Sequence, residues 1–241
     1  MSDKANTKGN LVSSEETYTL AALPAAIILY TLFVLALFHW PKFADTYAIS
    51  LETISDLSLV IPNIITLYCI LVCCILVRVS RPISKMFAFR TFNFKLLLLW
   101  SILFFIISIV AGWLKHSFTL PITSDWEIYL FNKKFATLLF LTITIIVVPF
   151  LEELLFRGFI FGCLARSIIG SGGAIVITSY LWAIPASYHN PYLLAINLTF
   201  GFLLGLARYQ SRTVWVPIVL HIISSIIESS TLMSIHWPFL I

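Results

Sequence analysis

The chain has 241 residues, of which 60% are hydrophobic and only 11% charged, with a formal net charge of +4. A mean hydropathy of +0.99 excludes an ordinary soluble domain, in which about a quarter of the residues are charged. It points to one polytopic membrane domain whose solvent is lipid, and the small positive balance reads as topology signal, with no nucleic-acid footprint.

Residues 1–17 are polar and lack the apolar core and cleavage site of a secretory leader. The first apolar run, Tyr18–Phe38, is long enough for a retained span. Leu59–Val77 and Leu96–Leu114 follow, within an N-terminal membrane region over residues 18–135. Cys69, Cys73 and Cys74 lie inside the second run without the spacing of a disulfide or zinc site, and read as reduced side chains. Ala136–Leu151 continues helically through two glutamates. Shorter runs then come at Phe159–Ile169, Ala174–Ala186, Tyr192–Leu206 and Val214–Ile227. Each is too short to stand alone in a bilayer, which predicts tilted, re-entrant or buried segments. The fold class is all-α: a polytopic transmembrane bundle of roughly seven or eight membrane helices. Its core spans residues 136–228 and its tail residues 229–241.

The punctuation is local. Gly170-Ser171-Gly172-Gly173 reads as a turn, and Asn190-Pro191 as a helix break with a new start. Gly201-Phe202-Leu203-Leu204-Gly205 reads as a small-residue packing face. The loop Arg78–Lys95 carries Arg78, Arg81, Lys85, Arg90 and Lys95 without an acid, so the positive-inside rule puts it in the cytoplasm. The N-terminus falls on the same side, and Arg208 and Arg212 in another inner loop.

The chemistry lies in Val147-Val148-Pro149-Phe150-Leu151-Glu152-Glu153-Leu154-Leu155-Phe156-Arg157-Gly158. A carboxylate inside a bilayer costs about 2.5–3.5 kcal/mol on insertion scales, so an intramembrane glutamate is a functional candidate by default. Glu153 and Arg157 are four apart and share a helix face, whereas Glu152 points about 100° away. An ion-pair staple would need only Glu153 and Arg157, and leaves Glu152 unexplained. Two histidines in apolar surroundings, His189 and His221, are further candidates, with Ser225 one turn beyond His221. His39, His116 and His236 fall in loops or the tail.

The stretch from Pro149 to Gly158 resembles the first motif, Glu-Glu-x-x-x-Arg, of the CPBP intramembrane proteases. That family includes the CAAX prenyl endopeptidase Rce and its bacterial relatives, also called Abi. Trp215-Val216-Pro217-Ile218-Val219-Leu220-His221 is similar to the approach to its third motif, a histidine with Asn or Asp four residues on; here that residue is Ser225. The second motif has an aromatic residue four before its histidine. Pro185 holds that place before His189, and if Trp182 is the aromatic the histidine slot falls on Ala186.

The resemblance, over roughly Ala136 to Ile227, implies hydrolysis of a peptide bond within the bilayer of a bacterial cytoplasmic membrane. Glu152 would activate a water, with His189 holding that water or a metal. His221 and Ser225 would stabilise the oxyanion, and Glu153 and Arg157 would complete the catalytic set. Glu152, His189 and His221 would be the ligands of a zinc ion or another divalent metal, a set that keeps one position open. The partners implied are a peptide or protein substrate and the lipid bilayer. No His-Glu-x-x-His and no Gly-x-Ser occurs, so the zincin and rhomboid-type signatures are missing. A binding or bacteriocin-immunity protein on the same scaffold is the competing reading. A small transporter with a glutamate ion site is a third, and it leaves both histidines without a role.

Overall fold

The computed structural model describes residues 87–118, 138, 141–187 and 190–236, and all of their regular structure is helical. The expected spans Tyr18–Phe38 and Leu59–Val77, the three clustered cysteines and His189 lie outside these residues.

Helix α1 (Phe94–Ser117) starts where Asn93 caps it, its side-chain oxygen accepting from the Lys95 N–H at 2.9 Å. Trp100, Phe104, Ser108 and Ala111, spaced by three or four residues, form its buried stripe. The opposite face is equally apolar: Leu99, Ile102, Phe105, Ile109 and Trp113 are all exposed. A helix in water would turn polar residues outward, so this outward face is matched to lipid. Helices α1 and α4 (Pro191–Ser211) are long and apolar enough to cross a membrane.

Helix α2 runs continuously from residue 141 to residue 164, with π-helical turns at Ile143–Val147 and Leu154–Ile160 flanking an α-helical Val148–Glu153. Pro149 has no N–H to donate and its ring crowds the carbonyl one turn back, and the wider first turn lies directly ahead of it. The expected separate segment Phe159–Ile169 is thus the end of α2, which stops at Leu164. Its last turn closes at Ser167, whose hydroxyl donates to the Leu164 carbonyl at 2.7 Å.

The chain reverses over residues 165–169 and enters α3 (Gly170–Ser187) through Gly170, at φ +66°. The expected turn at Gly170–Gly173 is therefore displaced upstream. Only Gly170 takes the left-handed conformation, while residues 171–173 are helical. Asn190 and Pro191 start α4 as their types demand, Asn190 Oδ1 accepting from the N–H groups of Tyr192 and Leu193. Helix α4 outruns its apolar segment: Arg208, Tyr209 and Gln210 remain helical until Arg212 turns left-handed at φ +56°. Arg208 is consequently a buried residue of α4, not a loop residue. Helix α5 (Trp215–His236) completes the set.

Helix α3 packs antiparallel on α4, and the glycines set the approach. A Cβ on Gly201 would meet Ser179 at 3.1 Å, and one on Gly205 would meet Ile175 at 3.0 Å. One apolar cluster joins α1, α4 and α5 through Trp100, Phe104, Phe200, Leu204 and Leu220. A second joins α2, α3 and α5, with Phe87 seated on Gly158. Gly201→Val should overpack the α3–α4 contact and cost about 1–3 kcal/mol. Gly112→Ala, in open space on α1, should be neutral or stabilise by up to about 1 kcal/mol. Thermal unfolding of the two purified variants checks the contrast, and equal melting temperatures would contradict it.

Candidate active site

The second π-helical turn of α2 buries all seven of its residues, Arg157 among them. A fully buried guanidinium is unfavourable unless its donors and charge are met. Arg157 Nη1 donates to Glu153 Oε1 at 2.8 Å, and Nη2 donates to the Gly201 carbonyl of α4 at 3.0 Å. Its Cζ lies 5.3 Å from the centre of the Trp182 ring of α3 and 5.8 Å from that of Phe156, both within cation–π range. Gly201 therefore serves twice: its missing Cβ lets α3 approach, and its carbonyl takes a hydrogen bond from the site.

Glu153 is fully buried and shares Oε1 between Arg157 and His221 Nδ1, the latter at 3.0 Å. An ionised Glu153 accepts from both, which puts the Nδ1 proton on His221 and leaves Nε2 to face the rest of the site. His221 is buried, 8% exposed. It meets Trp182 edge to face, with ring centres 5.3 Å apart.

Glu152 is treated differently. It is half-buried, and its Oε2 accepts from the Trp182 indole N–H at 2.5 Å. His221 lies within electrostatic reach of it. Trp182 thus touches three groups at once: the Glu152 carboxylate, the His221 ring and the Arg157 guanidinium. Sequence reasoning considered Trp182 only as the aromatic of a motif. The available signal was that a buried indole N–H needs an acceptor, and Glu152 was the apolar core's unassigned carboxylate.

Ser225 sits half-buried one turn beyond His221. Elsewhere the hydroxyls of Thr178, Ser179, Ser187 and Ser230 bond back to the carbonyl four residues earlier. Ser225 Oγ has no such bond, nor any other partner among the described residues. Glu152, Glu153, Arg157, His221 and Trp182 are gathered in one place, while His189 lies outside the described residues. Among those residues no three His, Cys, Asp or Glu side chains gather closely enough to hold a metal. Of the expected ligand set the described part supplies only Glu152, already bonded to Trp182, and His221, already bonded to Glu153.

Removing Arg157 strands Glu153 in a dry interior with His221 alone. Arg157→Ala should destabilise the protein by about 3–5 kcal/mol. Arg157→Lys should not restore it, because a single ammonium cannot reproduce the planar fork that reaches both Glu153 and the Gly201 carbonyl. Thermal unfolding of the purified variants is the check, and a wild-type melting temperature for Arg157→Ala would refute the structural role.

The family model described as Type II CAAX prenyl endopeptidase Rce1-like matches residues 134–227. No curated protein and no solved structure matches the chain. The matched stretch holds both glutamates, Arg157, Trp182 and His221.

Proposed function

We propose that the protein is a multi-pass intramembrane endopeptidase that hydrolyses a peptide bond with a water activated by Glu152. The observation that carries this reading is the unequal treatment of two adjacent glutamates. Glu153 is buried and bonded to Arg157 and His221, so it orients and neutralises. Glu152 is half-buried, is held through one oxygen by Trp182, and keeps the other oxygen for a water.

The steps follow from these positions. Glu152 takes a proton from the water as its oxygen attacks the scissile carbonyl. Negative charge grows on the carbonyl oxygen, and the donors at hand are a protonated His221, through Nε2–H, and the Ser225 hydroxyl. Glu153 accepts the Nδ1–H of His221 throughout and fixes the ring. Glu152 then returns the proton to the leaving amine as the carbon–nitrogen bond breaks. His189 is assigned to the same water. The substrate is a peptide or protein segment at the membrane, and the cytoplasmic N-terminus and the bundle of seven or eight spans belong to this reading.

The second reading is a binding or immunity protein that performs no hydrolysis. It draws on Ala186, which occupies the histidine slot counted from Trp182. Glu152→Gln discriminates: cleavage of a membrane peptide should be abolished with the melting temperature unchanged, whereas a binding role should survive. Ser225→Ala should lower kcat by about 10²-fold with KM little changed, as for loss of one oxyanion donor. Unchanged turnover would remove Ser225 from the mechanism. A divalent metal on Glu152, His189 and His221 adds one measurement. A metal-dependent enzyme should lose activity to a chelator and regain it with zinc, while water activation by Glu152 alone is indifferent to both.

A further inference from the structure

Arg208 is a second buried cation, and the carboxylate cluster does not account for it. The residue is only 8% exposed, in the last turn of α4. Nε donates to the Arg157 carbonyl at 2.9 Å, and Cζ lies 5.3 Å from the centre of the Phe161 ring. Its two Nη groups have no hydrogen-bond partner among the described residues. The carboxylates among those residues are Glu152, Glu153 and Glu228. They are engaged by Trp182, by Arg157 with His221, and by Lys115 respectively. Arg208 has two further arginines as electrostatic neighbours, Arg90 and Arg166.

Three separate segments bring these guanidiniums to one end of the bundle. Arg90 is held beside the start of α5, its carbonyl accepting from the Thr213 hydroxyl at 2.8 Å and Ala88 O accepting from the Val214 N–H at 3.3 Å. Arg166 lies in the reversal between α2 and α3, and both it and Arg90 are exposed. Helices α1, α3 and α5 begin at this end, and α2 and α4 end there. The bland account, a basic loop that merely marks the inner face, covers Arg90 and Arg166. It does not cover a guanidinium drawn against the Phe161 ring and bonded through Nε to a helix carbonyl.

We infer that Arg208, with Arg90 and Arg166, binds the phosphodiester headgroup of an anionic phospholipid. A guanidinium fork fits two phosphate oxygens, and the exposed pair closes on the same group from the aqueous side. Depth selects a lipid. Arg208 stands one turn inside the end of α4, a helix long enough to cross the bilayer, which is about 5 Å from the helix end and so at headgroup level. The bond from Arg208 to the Arg157 carbonyl ties this site to the π-helical turn that carries the active-site arginine.

The test follows unfolding of the full-length protein in detergent while phosphatidylglycerol or phosphatidylcholine is added in mixed micelles. Phosphatidylglycerol should raise the melting temperature by several degrees and phosphatidylcholine should not. In Arg90→Gln/Arg166→Gln, which alters only exposed side chains, the apparent Kd for phosphatidylglycerol should weaken about tenfold or more. Arg208→Gln should lose the shift, and Lys115→Gln, at the opposite end, should keep it. Equal shifts from the two lipids, an undiminished shift in Arg90→Gln/Arg166→Gln, or an equal loss in Lys115→Gln would overturn the proposal. So would inorganic phosphate at matched concentration giving the full shift, because the site would then be one for a soluble anion.

Discussion

The buried ion pair between Arg157 and Glu153 is the constraint on which the rest of the described structure depends. Both side chains are fully buried, and taking two such charges out of water costs several kcal/mol per ion even after relaxation. Their mutual attraction offsets that cost only if the remaining donors and acceptors are met. Meeting most of them recruits each neighbouring helix in turn, while Glu153 Oε2 has no hydrogen bond among the described residues. Helix α5 supplies His221 to Glu153, α4 supplies the Gly201 carbonyl to Arg157, and α3 supplies the face of Trp182. Helix α4 then returns a donor, Arg208, to the carbonyl of Arg157 itself. Apolar packing between helices surrounded by lipid is weakly directional, because lipid tails are as apolar as leucine. The polar cluster therefore fixes which faces of α2, α3, α4 and α5 meet.

The same constraint separates the two glutamates into different roles. Consecutive residues on an α-helix diverge by about 100°, so a helix that commits Glu153 to the interior turns Glu152 toward a different neighbour. That neighbour is Trp182, whose indole has one face for Arg157, an edge-to-face contact with His221 and an N–H for Glu152. A phenylalanine would keep the packing and lose the hydrogen bond. The π-helical turns on either side of Val148–Glu153 belong to this arrangement, since wide turns of this kind recur at functional sites and re-aim the side chains around them.

Local chemistry made part of this legible in the sequence. Asn190-Pro191 announced the start of α4, the apolar run Leu96–Leu114 announced α1, and the four-residue step from Glu153 to Arg157 announced their shared face. What the sequence could not show are contacts between residues far apart in the chain. His221 is 68 residues from Glu153, Trp182 is 30 from Glu152, and Gly201 is 44 from Arg157. Helical periodicity is silent on such pairs. The misread elements have a common cause: composition was taken as a boundary. Glycines at 170–173 suggested a turn, yet only Gly170 needs a positive φ. Arg208 suggested a loop, yet a helix continues through a charged residue whenever a buried acceptor and an aromatic face receive it.

Depth adds a last consequence. Glu152 lies about 18 Å before the end of α2 at Leu164, at 1.5 Å per residue. The hydrocarbon core of a bilayer is about 30 Å thick, so in a helix that crosses it the two carboxylates fall near the middle, where water is scarce. A fully sealed pocket at that depth could hold Glu153, which has protein partners for its charge, but not Glu152 in its proposed role. Glu153 is fixed in a dry wall and Glu152 is only half-buried beside it, and the proposed hydrolysis requires that water reach the second of the two.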